Sequence, residues 1–367
     1  MKLNRVIISG GGTGGHIFPA VAIADKIKEH HPDAEILFIG AEGKMEMEKV
    51  PAAGYEIIGL PIRGFQRRFT WSNFLLPFKI LQSLWKARKI IKKFNPDVVV
   101  GVGGYASGPT LQMATMLSIP TVIQEQNGFA GKTNTILGKK VSKICVAYEN
   151  MEQFFPKEKI VFTGNPVRKN MVEIEGKSEE AFSFFDLDPN KKTFLVVGGS
   201  LGARTFNNCL VGKIKLFQDE GVQLIWQCGK TDYPSLKEAT RNIDLTGVVL
   251  TPFISRMDLA YAAAAAIVSR AGAIAVSELS IIGKPMILIP SPNVAEDHQT
   301  KNAMALVKKN AALMIPDIEG QEKMVRTMLS LINDEAQQNQ LKEQLKAFSI
   351  RDADERIYKT LIEAVNS

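Results

Sequence analysis

Short apolar runs recur through the first half of the chain, at residues 6–9, 35–39, 97–102, 120–123 and 144–147. Between them lie longer stretches in which apolar positions return every three or four residues, as at 17–30 and 107–117. Runs that are apolar throughout suit strands buried on both faces, and the helical period suits helices laid against them. Alternation on this spacing predicts a parallel sheet with helices on both sides. The pattern breaks at Phe162-Thr163-Gly164-Asn165-Pro166, a turn-prone segment that reads as a hinge. It restarts after a polar turn at residues 184–192, and runs at 193–197, 222–226, 248–250, 266–269 and 285–289 predict a second sheet. Residues 337–365 read as charged helix, with Asp352 starting a last helix that crosses back to the first domain. The expected division is therefore 1–163, 164–348, and a returning helix over 349–367.

Composition narrows the class without choosing a function. A chain of 367 residues is long enough for two cores. With 45% apolar and 23% charged residues it reads as a globular enzyme rather than a disordered chain. The apolar stretch at 259–268 is mostly alanine and too short to span a bilayer. Strand-like residues 5–8 begin almost at once, with no basic, apolar leader before them, so no signal peptide is expected. Three cysteines without Cys-x-x-Cys spacing (Cys145, Cys209, Cys228) read as buried thiols in a reducing compartment, hence a cytoplasmic protein.

The net charge of +7 suggests an anionic partner, and nucleic acid, a nucleotide sugar and an acidic membrane all qualify. Its location says more. Residues 63–71 interleave basic and aromatic side chains and run into Phe74, Leu75, Phe78, Leu81 and Trp85 at helical spacing. Lys79, Lys86, Arg88, Lys89, Lys92 and Lys93 occupy other positions. A basic amphipathic helix of this kind over 63–93 can lie on an anionic bilayer, or can face a core and solvate its basic side. No recognised nucleic-acid module accompanies the charge, so no nucleic-acid partner is expected.

Chemistry concentrates at strand ends. Ser9-Gly10-Gly11-Gly12-Thr13-Gly14-Gly15-His16 and Gly198-Gly199-Ser200-Leu201-Gly202-Ala203 each follow an apolar strand and open a helix. Such loops aim N–H groups and a helix dipole at an anion, typically a phosphate. The first also satisfies Gly-x-Gly-x-x-Gly, with Glu42 as a ribose acid, or its glycines simply let helix and strand pack closely. His16 on the opening helix suits a general base kept neutral by the helix N-terminus, or a cap. Residues 101–109 form a further glycine cluster, and Gln124-Glu125-Gln126-Asn127 a polar one suited to a hydroxylated ligand or to loop solvation. In the second half, Glu278 follows Ser269-Arg270-Ala271-Gly272-Ala273 and can accept from a ribose diol. Asp297-His298-Gln299 and Asn302 offer amides for sugar hydroxyls, with a helix cap explaining Asp297 equally well. Asp186-x-Asp188 and Asp352-x-Asp354 have a metal-transferase spacing, but read as turn or cap acids, so no metal and no cofactor are expected.

Taken together, Gly-Gly-Thr-Gly-Gly-His at 11–16, Gly-Gly-Tyr-x-Ser-Gly-Pro at 103–109, Glu-Gln-Asn at 125–127, Gly-Asn-Pro-Val-Arg at 164–168, Gly-Gly-Ser-x-Gly-Ala at 198–203 and Ser-Arg-Ala-Gly-Ala at 269–273 resemble one family. It is that of the peptidoglycan N-acetylglucosaminyltransferases of glycosyltransferase family 28, the MurG family, and the motifs run in order along the chain. Gln124 departs from it, since many relatives carry histidine there.

The resemblance implies the α/β GT-B fold, two Rossmann-like domains with parallel sheets facing across a cleft. The N-terminal domain would bind acceptor and membrane, the C-terminal one the UDP-sugar. It implies an inverting transferase that moves N-acetylglucosamine from UDP-GlcNAc to the lipid-linked muramoyl-peptide lipid I, giving lipid II, at the cytoplasmic face of the membrane. Carried onto matching positions, Thr13, Gly14 and Gly15 face the donor, Asn127 the N-acetylglucosamine, and Arg168 and Ser200 the diphosphate. Ile254 would meet uracil through its backbone, Glu278 the ribose and Gln299 the sugar hydroxyls, with His16 as base. On this reading the second loop holds the donor diphosphate, while the first faces the reaction and the acceptor's pyrophosphate. The rival readings are a UDP-sugar 2-epimerase of similar fold, a nicotinamide oxidoreductase using the first loop alone, and a non-catalytic UDP-sugar-binding membrane protein.

Overall fold

The computed structural model describes residues 3–62, 76–199, 202–294 and 297–367. The chain divides into two units, Met1–Val167 with Arg351–Ser367, and Arg168–Ile350.

The first unit holds β1 (Arg5–Gly10), β2 (Glu35–Ala41), β3 (Glu56–Leu60), β4 (Val98–Gly103), β5 (Thr121–Glu125), β6 (Lys143–Val146) and β7 (Ile160–Phe162). They form one parallel sheet in the order β3-β2-β1-β4-β5-β6-β7. Successive side chains of β1 enter opposite layers. Ile7 packs with Ile39, Ile91 and Leu111 on one face. Val6 and Ile8 pack on the other with Ile17, Ile23 and Ile27, and with Ile357 and Leu361 of the helix Ala353–Asn366. The last helix thus covers the first sheet, and truncating Ile7 or Ile357 to alanine costs about 2–5 kcal/mol.

The edge strands β3 and β7 fall outside the sequence expectations. Residues 56–58 are exposed or half-buried, so β3 lacks the all-apolar run of an inner strand, and β7 has only three residues. The expected helix over 337–365 is interrupted. It becomes Glu335–Leu345, a short 3₁₀ turn at Lys346–Phe348, and Ala353–Asn366. The interruption lies where the chain leaves the second unit, so the two pieces bury their apolar faces against different cores.

The second unit contains β8 (Thr193–Val197), β9 (Gln223–Gln227), β10 (Val248–Thr251), β11 (Ala266–Ser269), β12 (Met286–Leu288) and β13 (Leu313–Met314). All pair in parallel, in the order β10-β9-β8-β11-β12-β13. Phe194, Val196, Phe206, Trp226 and Met328 fill its main core. The one polar atom of Trp226, Nε1, donates to Asn207 Oδ1 at 2.9 Å, so the indole is buried without an unmet donor. The three cysteines are buried, and burial pushes Cys145 up to about 12 and Cys228 up to about 11.

In both sheets the strand order reverses direction beside the first strand, between β1 and β4 and between β8 and β11. Loops leaving the carboxyl ends at such a switch point diverge and leave room for a ligand. Among the described residues, no helix is long and apolar enough to cross a membrane.

Candidate active site

At the first switch point the loops after β1 and β4 are joined, with the Gly11 N–H donating to the Gly103 carbonyl at 3.2 Å. Thr13 is extended and exposed, and its carbonyl accepts from the N–H groups of His16 and Ile17 as the helix Gly14–His30 begins. Gly14 and Gly15 are the first two residues of that helix. The half-buried His16 ring sits one residue further on, with Nδ1 2.9 Å from the Gly11 carbonyl oxygen. A carbonyl only accepts, so Nδ1 carries the proton and Nε2 is the ring's acceptor. The ring therefore has the tautomer of a base that works through Nε2, close to the positive end of a helix dipole.

The anion on this loop belongs to the protein itself. Glu46, 1% exposed, accepts from the Gly12 N–H at 2.7 Å and from the Ala41 N–H at 3.0 Å. Locally it is marked only as an acid between two methionines at the start of a short helix. Glu42, the ribose acid of the dinucleotide reading, pairs instead with Lys86 at 2.9 Å.

At the end of β5 the carboxylate of Glu125 is a local organiser. It accepts from the Asn127 N–H and side-chain amide, the Gly131 N–H and the Asn134 amide, at 2.8–3.3 Å. Asn127 is thereby fixed at the lip of the sheet. Gln124 is fully buried and donates to Asn165 Oδ1 at 2.9 Å, tying β5 to the turn before the second unit.

In the second unit, Gly198, Gly199, Gly202 and Ala203 follow β8, while Ser200 lies outside the described residues. Gln227 at the end of β9 donates to the Gly199 carbonyl at 3.0 Å and to the Pro252 carbonyl at 3.3 Å. It thereby links the glycine loop to the segment holding Ile254, whose side chain is buried after β10.

Glu278 lies on the helix Ala273–Ile282 after β11, 7% exposed, with one oxygen 3.8 Å from the Arg168 guanidinium. The buried Tyr261 hydroxyl lies beside the same carboxylate. Burial raises the Glu278 carboxyl above its ordinary value, and Arg168 and Tyr261 work against that shift. A carboxylate so held is flanked by a phenol and a guanidinium while remaining an acceptor. Gln299 accepts through Oε1 from the Ala271 and Ser291 N–H groups, at 3.2 and 2.8 Å, leaving its amide nitrogen as the donor end. Arg270 is spent on packing: it pairs with Asp317, donates to the Ile289 and Pro290 carbonyls, and lies over the Phe206 ring.

The two Asp-x-Asp pairs do local work. Asp188 accepts from the Asn190 N–H at 2.9 Å within its turn, and Asp352, at the N-cap position of the last helix, accepts from Arg356 Nε at 3.0 Å. Of the basic-aromatic region, residues 63–75 lie outside the described residues. The helix Leu76–Phe94 buries Ala87 and Ile91 but leaves Phe78, Leu81 and Trp85 exposed at 71%, 63% and 66%.

Each described residue singled out as a site from the sequence sits at a carboxyl strand end of its own sheet or beside it. Thr13 ends the loop after β1, and Gly14, Gly15 and His16 open the helix it leads into; Arg168 and Glu278 are neighbours; Asn127 and Ile254 stand on separate loops, and Gln299 in the first turn of the helix His298–Val307. Glu46, Gln227 and Tyr261 are absent from the sequence expectations because only the fold brings them to these loops.

Two parallel α/β units, each with a glycine loop and helix at its switch point, define a glycosyltransferase of the GT-B architecture. The chain matches the glycosyltransferase family 28 N-terminal domain over residues 6–146 and the family 28 C-terminal domain over residues 193–357, and it belongs to that family. It is 52% identical over 366 residues to the UDP-N-acetylglucosamine–N-acetylmuramyl-(pentapeptide) pyrophosphoryl-undecaprenol N-acetylglucosamine transferase of Parabacteroides distasonis, covering 100% of both chains. It is 50% identical to the protein of the same name from Flavobacterium psychrophilum, covering 100% of this chain and 99% of that one. The crystal structure of Acinetobacter baumannii MurG superposes with a TM-score of 0.78 at 26% identity, over 98% of this chain and 99% of that one. A UDP-N-acetylglucosamine 2-epimerase also shares the fold, with a TM-score of 0.66 at 14% identity over 100% of this chain and 97% of that one.

Proposed function

We propose that this glycosyltransferase moves N-acetylglucosamine from UDP-GlcNAc to the muramoyl C4 hydroxyl of undecaprenyl-pyrophosphoryl-MurNAc-pentapeptide, giving lipid II. The observation that carries this reading is identity of 50–52% along the whole chain to relatives named for that transfer. Nε2 of His16 accepts the proton of the C4 hydroxyl as that oxygen bonds to the anomeric carbon. The anomeric carbon–phosphate oxygen bond breaks, UDP leaves, and one displacement inverts the configuration. Arg168, Ser200 and the N–H groups of the second glycine loop stabilise the departing diphosphate. Glu278 accepts from the ribose diol, the Ile254 backbone meets uracil, and Gln299 and Asn127 hold the sugar, with Thr13, Gly14 and Gly15 also facing the donor.

The lipid-linked acceptor makes a membrane surface part of this reading. The exposed stripe of Phe78, Leu81 and Trp85, with Lys79, Lys86 and Lys89 on the same helix, supports peripheral binding to an anionic leaflet at its cytoplasmic face. Changing Leu81 and Trp85 to glutamate lowers cosedimentation with anionic vesicles, and unchanged binding removes the surface from the proposal. The transfer itself is tested by incubating the protein with radiolabelled UDP-GlcNAc and a lipid I analogue. Labelled lipid product is expected. Donor binding without transfer overturns the reading in favour of a binding protein, and release of a C2-epimerised sugar does so in favour of an epimerase.

A further inference from the structure

The first glycine loop carries its own anion, and that anion lies two short links from the base. Glu46 reaches the loop from the helix Glu46–Ala52, and its two oxygens accept from the N–H groups of Gly12 and Ala41. Both bonds go to backbone, so the carboxylate is oriented by two elements at once: the loop after β1 and the last residue of β2. Room for it is built into the loop. A Cβ on Gly11 would lie 2.2 Å from the Glu46 carboxyl carbon, so any side chain there evicts the carboxylate. Gly11 is also the residue whose carbonyl accepts from His16 Nδ1, and its N–H is held by the Gly103 carbonyl. The peptide joining Gly11 to Gly12 therefore presents its N–H to Glu46 and its C=O to His16.

We propose that Glu46 is a positioning residue for His16. By holding the N–H side of the Gly11–Gly12 peptide, it fixes the direction of the carbonyl that keeps the His16 proton on Nδ1 and the acceptor on Nε2. A carboxylate is suited to this because both its ends accept, whereas an amide of the same shape turns an NH₂ toward one of the two backbone donors. The peptide then rotates, and the Gly11 carbonyl leaves the imidazole. The catalytic consequence rests on the assignment of His16 as the base, while the structural consequence does not.

The test is Glu46→Gln, read by the ¹⁵N resonances of the His16 ring, by kcat against pH, and by UDP affinity. With four histidines in the chain, the His16 ring can be assigned by comparison with His16→Ala. The variant is expected to lose the single Nδ1–H tautomer and mix the two forms. Turnover is expected to fall by about 10- to 100-fold, the scale of a slightly misplaced catalytic group, with the pH–kcat profile altered and UDP affinity kept. A folded Glu46→Gln protein with the wild-type ring signature overturns the proposal. Mixed tautomers with unchanged kcat uphold the positioning and overturn the base assignment, so the two failures are separable. Should Glu46→Gln not fold, Glu46→Asp, one methylene shorter and able to reach only one of the two N–H groups, is read in the same way.

Discussion

The two glycine loops begin alike and end differently. Each follows the first strand of its sheet, opens a helix, and lies at the switch point of a parallel sheet. In the first unit the loop is filled from inside: Glu46 takes the Gly12 N–H and the Gly11 carbonyl takes the His16 proton. In the second, the described residues are tied by neutral groups. Gly202 N–H donates to the Gly199 carbonyl at 2.9 Å, and Gln227 donates to the same oxygen. Among the described residues no carboxylate accepts from this second loop. A nest of N–H groups satisfied by an internal carboxylate organises side chains, while one left to neutral partners retains its attraction for an outside phosphate. A glycine-rich loop at a switch point therefore says little about which job it does; the side chain that reaches it from elsewhere in the fold decides.

The largest expected effect falls on the filled loop. His16→Ala is expected to lower kcat by about 10²- to 10⁴-fold, the range for a general base, while UDP titration gives an unchanged affinity. Near-normal turnover removes His16 from the chemistry and with it the division of labour between the loops. The counterpart in the open loop is Gly202→Ala. Its Cβ would lie 2.0 Å from the Cys228 carbonyl oxygen, at a φ of +79°, and a backbone atom cannot move aside as a side-chain tip can. With strain of about 1–3 kcal/mol and a displaced loop, UDP affinity is expected to fall by at least about tenfold and the melting temperature by several degrees. An unchanged affinity separates the second loop from the diphosphate.

This contrast also marks what the sequence could carry. Inner strands such as β1 and β8 are legible because burial on both faces leaves an uninterrupted apolar run, and the glycine loops because they follow such runs at once. The edge strand β3 and the helix Asp317–Asn333 bury only one side, so their half-polar segments carry no such run. The positions of His16 and Asn127 are legible because each closely follows a strand, and that of Glu278 because its helix opens directly after β11. Glu46 reaches the first loop from the short helix that follows β2, and Tyr261 reaches Glu278 from a helix 17 positions earlier. Neither link has a local pattern, because parallel crossovers place distant segments side by side.

A smaller effect comes from the buried acid of the second unit. The folded-state pKa of Glu278 is raised, so the native protein favours its neutral form more than the unfolded chain does. Stability is then full below the unfolded carboxylate range and declines as pH rises through the raised value. Glu278→Gln removes that loss and keeps an acceptor beside Tyr261. Its melting temperature at neutral pH is expected to exceed that of the parent by about 2–4 °C, the shift for roughly 1 kcal/mol in a unit of this size. The gap should close as pH falls toward 4. UDP affinity should drop by about tenfold with the loss of one charged acceptor. A destabilised variant at neutral pH contradicts the burial argument, and unchanged UDP binding contradicts the ribose assignment.

The smallest effect makes the cleanest comparison. Gly12 and Gly199 have nearly the same φ, +87° and +86°, and an added Cβ at either meets no atom within 4 Å. Alanine therefore costs the same at both, about 1–2 kcal/mol for an L-residue in the left-handed region, with no clash to complicate it. Equal losses of stability are expected, so any difference in function reports what lies outside each loop. If the second loop is the donor cradle, Gly199→Ala weakens UDP binding by a few-fold. Gly12→Ala leaves UDP binding alone and disturbs only turnover, through the Gly12 N–H that holds Glu46. Isothermal titration with UDP on the two variants decides this directly. Equal weakening in both would mean that the two loops both hold the UDP part of the donor, and that an internal carboxylate does not exempt the first from holding it.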